Sequence, residues 1–81
     1  MARKVKVEHK KLGRHQADGL AYKEENRIEI DERLRGKDYL LTAIHELLHI
    51  HRKEYTEDQV VELSTKLCND LWDLKIRRVD E

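Results

Sequence analysis

The sequence predicts an α+β fold, with a small antiparallel three-stranded sheet packed on two or three helices. Apolar and polar residues alternate through the first third of the chain, the period-2 pattern of half-buried strands. From Leu40 onward the apolar residues recur at three- and four-residue steps, the pattern of amphipathic helices. The chain has 81 residues and no proline to mark a linker, so a single domain spanning 1–81 is expected.

Val5 and Val7 alternate with Lys4, Lys6 and Glu8, which predicts a first strand. The stretch from His9 to Gln16 has no clear period. Asp18-Gly19 is a turn signal, after which Leu20 and Tyr22 alternate with Ala21 and Lys23. Glu24-Glu25-Asn26 reads as a polar turn, and Arg27-Ile28-Glu29-Ile30 alternates again. Connections this short favour antiparallel neighbours, so a meander is expected, with Ile28 and Ile30 facing inward. This basic β region covers 1–31.

Asp31 is placed to cap a short turn through Leu34, closed by Gly36. Asp38 then caps a helix of about 38–52, with Leu40, Leu41, Ile44, Leu47 and Leu48 at helical spacing. Arg52-Lys53 suits its C-terminus, where cations meet the negative end of the dipole. Thr56-Glu57-Asp58-Gln59 has the form of a capping box, with Thr at N-cap and Gln at N3. It opens a helix of about 57–74 whose expected inner stripe is Val60, Leu63, Leu67, Leu71 and Leu74. The tail from Ile76 onward is expected to fray.

Composition narrows the function. Charged residues are 42% of the chain, with 17 Lys+Arg against 17 Asp+Glu, and apolar residues are 38%. No apolar run approaches the roughly 20 residues of a membrane-spanning helix, and no basic stretch leads into a secretory h-region. Cys68 is alone, so a disulfide framework is excluded and a cytoplasmic, intracellular setting is expected. Small cores need a staple, and with five histidines present a metal is the one to consider. Arg3, Lys4, Lys6, Lys10, Lys11 and Arg14 stand against Glu8 alone in residues 1–15. Such an arm can meet phosphates, although without interleaved aromatics it reads better as a solvated edge strand.

Residues 45–49 read His-Glu-Leu-Leu-His. Four apart on a helix, His45 and His49 lie one above the other and reach one tetrahedral ion without backbone distortion, which suits Zn²⁺. Glu46 lies about 100° round from His45, where it misses the metal but reaches a water bound to it, as a general base needs. Taking Ile44 as the centre of the apolar face, His45 and His49 fall about 100° and 140° away, on the flank between core and cleft.

A catalytic zinc site requires a third protein ligand. Glu54, Glu57, Asp58, Glu62, His51, His9 and His15 are the candidates. On the last helix Glu57 lies about 60° from Val60, inside the apolar stripe, whereas Asp58 and Glu62 lie about 160° and 200° away. A carboxylate on a packing face is costly unless paired or metal-bound, so Glu57 is the first choice, with Asp58 and Glu62 still open. His51 reads better as a C-terminal cation, Cys68 as a small core residue, and Tyr39 and Tyr55 as packing residues that flank the motif. Trp72 is expected to cover the core's edge.

The stretch Arg27-Ile28-Glu29-Ile30-Asp31, then Leu41-Thr42-Ala43-Ile44-His45-Glu46-Leu47-Leu48-His49, then Thr56-Glu57-Asp58-Gln59-Val60 resembles the zincin metallopeptidases. The likeness is to the small HExxH proteins of phage and bacterial genomes and to the ImmA/IrrE and SprT-like groups. It implies His45, His49 and an acidic residue matching Glu57 as zinc ligands, Glu46 as general base, and Arg27 to Ile30 as a sheet edge that receives an extended substrate. The metzincin extension is absent, since Arg52 and Tyr55 stand where its Gly and third His would be. The expected function is zinc-dependent hydrolysis of a peptide or protein substrate. The alternative is a non-catalytic, zinc-stabilised binding module that meets nucleic acid or a protein partner through its basic arm.

Overall fold

Central to the fold is a strand that is buried on both faces. The computed structural model describes residues 4–13 and 17–78. It contains three strands, β1 (Lys6–Lys10), β2 (Gly19–Tyr22) and β3 (Arg27–Asp31), followed by two helices, α1 (Gly36–His51) and α2 (Glu57–Asp73). A single 3₁₀ turn, Lys23–Glu25, joins β2 to β3. The α+β class and the packing of sheet on helices are as expected.

The sheet is mixed, which corrects the expected antiparallel meander. Its order is β1-β3-β2, with β3 parallel to β1 and antiparallel to β2. Alternation fixes which face of a strand is buried, but not which strand lies beside it. β1 and β2 lie at opposite edges of the sheet, and β3 returns between them. Ile28 and Ile30 face the helices and are fully buried, and Glu29 and Asp31 on the opposite face are buried as well.

Both of these carboxylates of β3 are satisfied. Glu29 accepts hydrogen bonds from Lys10 Nζ (3.0 Å), Arg27 Nη1 (2.6 Å) and the Tyr22 hydroxyl (3.1 Å). Lys10, against the cost of burial and with Arg27 and Tyr22 assisting, holds the Glu29 carboxyl below its ordinary pKa. Asp31 accepts from the Arg33 backbone N–H (2.9 Å), the Arg33 guanidinium and the Leu12 N–H (3.2 Å). Those bonds, led by the Arg33 side chain, hold its carboxyl well below the usual range. The expected turn after Asp31 is therefore present, and Asp31 also holds Leu12, just beyond β1.

Helix α1 begins at Gly36, two residues before the expected start. Asp38 lies in its first turn and Arg35 is the N-cap, with no side-chain hydrogen bond there; the acid meets the dipole rather than capping the helix. Gly36 has φ +59°, a conformation that favours glycine, and Trp72 lies against it. Ile50 joins Ile28 and Ile30 in the core, with Val5, Ala21, Leu34, Tyr39, Ala43 and Leu47 around them.

Helix α2 starts with the expected capping box. Gln59 N–H donates to Thr56 Oγ1 (3.2 Å), and Thr56 N–H donates to Gln59 Oε1 (2.8 Å). Its buried line is Val60, Ser64 and Cys68, whereas Leu67 and Leu74 are exposed, which corrects the expected stripe. Small side chains let α2 approach α1 closely, and Cys68 Sγ reaches the Lys37 carbonyl at 3.7 Å. The larger leucines are displaced to the flanks. The helix ends with Lys75 N–H bonded to Trp72 O and Ile76 N–H to Leu71 O, both 2.9 Å. This is a Schellman motif, with Lys75 at φ +64° where glycine is usual. No helix among the described residues is long and apolar enough to cross a membrane.

Candidate metal centre

His45 and His49 leave the same flank of α1 one turn apart. Their Nε2 atoms lie 3.3 Å from each other. Opposite them stands Glu57, the first residue of α2, which the Thr56 capping box fixes at the helix start. Glu57 Oε1 is 2.8 Å from His45 Nε2, and Oε2 is 3.1 Å from His49 Nε2. One ligand atom from each of the three residues lies within 4.8 Å of the others.

The donor set fits a small divalent ion. Ligand atoms on a tetrahedron with bonds of about 2.0–2.1 Å stand about 3.3 Å apart, and the two imidazoles already have that spacing. Three donors, two nitrogen and one oxygen, leave one tetrahedral position open, as in catalytic rather than structural zinc sites. The expectation for Glu57 rested on burial, but its side chain is 63% exposed. Its phase places it on the side of α2 that turns towards His45 and His49. At the first turn, however, that phase points past the end of the core and out over α1.

Glu46 is buried on the neighbouring flank, at 8% exposure, and lines the hollow that holds the three candidate ligands. Its carboxylate accepts no hydrogen bond from any described residue. Burial pushes it above its ordinary pKa; charge on His45 opposes that and Glu57 adds to it. Burial also lowers the pKa of His49. Glu57 works against this, while charges on His45 and Lys23 add to it. A histidine biased towards its neutral form is ready to be a ligand.

The remaining candidates are elsewhere. Asp58 is exposed, and Glu62 pairs with Lys66 at 2.9 Å on the outer face of α2. Glu54 lies 4.0 Å from Arg52. His9 Nε2 is 2.7 Å from the Tyr39 hydroxyl and stacks on that ring, so Tyr39 serves the β1–α1 contact. His51 is exposed at the end of α1, and Tyr55 lies beside Gln59 and Leu63, away from the histidines. Cys68 is buried and free. Trp72 is half-buried with Arg77 over its ring. His15, Arg3 and Arg14 lie outside the described residues. Of the basic arm, Lys6 and Lys10 pair with Glu8, and Lys10 also with Glu29.

The opposite wall of the hollow was not foreseen. Gly19, Leu20, Ala21 and Lys23 line it, with His45, Glu46, His49 and Glu57 facing them, around a volume of about 370 Å³. A second hollow continues past Gly19, His45 and Glu46 to Ala17, Asp18, Leu41 and Thr42. The strand beside the site is therefore β2, whose other edge is unpaired among the described residues. β3, which the resemblance cast as the receiving edge, is paired on both sides. Gly19 was the available signal. A glycine within a strand marks a close approach of backbone, and a Cβ there would stand 2.7 Å from Thr42 Cγ2 and 2.9 Å from Glu46 Cγ.

No family model, curated protein or solved structure matches the chain. A functional reading therefore rests on this geometry and on the His-Glu-Leu-Leu-His spacing.

Proposed function

We propose that the protein is a zinc-dependent hydrolase of peptide bonds, a minimal zincin with His45, His49 and Glu57 as ligands and Glu46 as general base. The supporting observation is the convergence of three donors with the carboxylate of the largely buried Glu46, which bonds to no described residue, beside them in one open hollow. A zinc ion held there supplies Lewis acidity, polarising the scissile carbonyl and acidifying water.

The chain's own residues supply the rest. The free edge of β2 offers backbone N–H and C=O groups to an extended peptide, which aligns it along the hollow. Glu46, on the wall opposite Gly19, accepts a proton from the attacking water at its carboxylate. It then returns that proton to the departing amine. Burial raises the pKa of Glu46, and a carboxylate with a raised pKa takes up a proton more readily than does an ordinary one, which suits the first transfer. The 63% exposure of Glu57 keeps the hollow open on the substrate side.

Metal content of the purified protein, measured by mass spectrometry, tests the ligands. About one zinc per chain is expected, lost in His45→Ala, His49→Ala and Glu57→Ala. Glu46→Gln should keep its zinc and lose about 10²- to 10⁴-fold in peptide cleavage, the usual contribution of a general base. Wild-type protein that takes up no zinc after refolding with the metal sinks the reading.

A further inference from the structure

We infer that the groove between β2 and α1 selects an extended peptide with an acidic side chain on the N-terminal side of the cleaved bond and a basic one on the C-terminal side. This rests on the hydrolase reading above. The observation is a pair of opposite charges at the two ends of one groove. Lys23 closes the hollow at the C-terminal end of β2, and Asp18 lines its continuation at the N-terminal end. Neither side chain forms an ion pair among the described residues, although the cations of the strands do: Lys6, Lys10 and Arg27 all have carboxylate partners. Both are exposed and available to a ligand.

Position makes the pair selective. His45 and Glu46, with Gly19 facing them, are shared by both hollows, so the reacting groups lie between the two charges. Asp18 and Lys23 are five residues apart, no more than about 17 Å at strand rise, which an extended peptide spans with about five residues. Antiparallel addition is the more stable pairing. It places the substrate's N-terminal side at Lys23 and its C-terminal side at Asp18. A nucleic acid fits this groove poorly, because Asp18, Glu46 and Glu57 would all face a uniformly anionic chain.

The test is equilibrium binding by fluorescence anisotropy to zinc-loaded, full-length Glu46→Gln protein. Labelled peptides would carry Glu then Lys around an uncharged centre of about four residues, Lys then Glu, or no charge. The Glu-then-Lys peptide is expected to bind about three- to thirtyfold tighter than its reverse, the yield of two partly exposed ion pairs. That preference should shrink in 1 M salt, where the Debye length is about 3 Å. Adding Lys23→Glu and Asp18→Lys together should reverse it, with zinc content and circular dichroism reporting that the fold and metal site survive. Equal affinities, the opposite preference, no peptide binding, or tighter binding of a single-stranded oligonucleotide would each overturn the inference. Wild-type cleavage of a peptide library with acidic, basic and uncharged members on either side of the centre separates the two readings. Cleavage without charge preference defeats this inference alone, and charge-ordered binding without cleavage defeats the hydrolase reading alone.

Discussion

At position 19 a hydrogen stands where any other residue would put a methyl group against α1. The nearest obstacles are Thr42 Cγ2 at 2.7 Å, Glu46 Cγ at 2.9 Å and the Glu29 carbonyl at 3.1 Å. Thr42 is β-branched and buried, so it has no other rotamer to retreat to at low cost. Gly19→Ala must then move β2 outward or turn Glu46 aside. Overpacking of this kind costs about 1–3 kcal/mol of stability, and a shift of about 1 Å in a general base costs up to about 10²-fold in rate. The expected variant keeps its zinc, because the three candidate ligands do not touch this position, and loses kcat by about ten- to a hundredfold. Zinc stoichiometry and turnover measured on one preparation check it; loss of both together would mean that the strand, and not Glu46, is what the glycine protects. His45, Glu46 and His49 were legible from spacing alone, since four residues make a helical turn wherever the helix sits. Lys23 and Asp18 were not, because they flank a strand whose place beside α1 no local pattern records.

Helix ends set the distances in the candidate metal centre, and their chemistry was written locally. The Thr56–Gln59 box was visible in four consecutive residues and formed as expected. It fixes where α2 begins and so where Glu57 stands relative to His45 and His49. Thr56→Ala should cost about 1 kcal/mol of stability, as cap removal generally does, and should also weaken zinc binding as the first turn frays. Chemical denaturation with and without zinc separates those effects, and a cost equal in both conditions would deny the coupling. At the other end of α2, Lys75 holds φ +64°, which costs a side-chain-bearing residue about 1 kcal/mol. Lys75→Gly should therefore raise stability by about 0.5–1 kcal/mol, less whatever glycine loses in chain entropy; an unchanged or lower denaturation midpoint would refute it. The inner face of α2 was misread for a related reason. Helical arithmetic found the leucines, but the contact is made by Val60, Ser64 and Cys68, whose small size is what lets two helices meet closely. A count of apolar residues does not see Ser64.

Over the whole molecule, the least legible feature was the sheet order, because strand pairing joins residues far apart in sequence and alternation carries no record of the neighbour. Putting β3 in the centre buried Glu29 and Asp31, and those two carboxylates now link the fold to pH. Both are held below their ordinary pKa, so they favour the folded state above about pH 4, the unfolded carboxylate value. The stabilisation they give falls away as pH drops through their folded values. Zinc adds an earlier step. Ligand histidines must be neutral, so zinc should dissociate as pH falls below about 6. While bound at one hundred times its Kd, it contributes about 2.7 kcal/mol, on the order of 10–20 °C in Tm for a domain of this size. Two acid transitions are therefore expected in the zinc-loaded protein, one near pH 6 that chelation removes and one below pH 4 that it does not. Asp31→Asn should lower stability at neutral pH and flatten the second transition while leaving the first in place. Thermal melts from pH 7.5 to pH 3, run with zinc and with a chelator, read both. A zinc-dependent stabilisation that persisted unchanged at pH 5 would argue against histidine ligation, whereas an Asp31→Asn melt with the wild-type acid slope would show that the hydrogen bonds to Arg33 and Leu12 contribute nothing to the pH response.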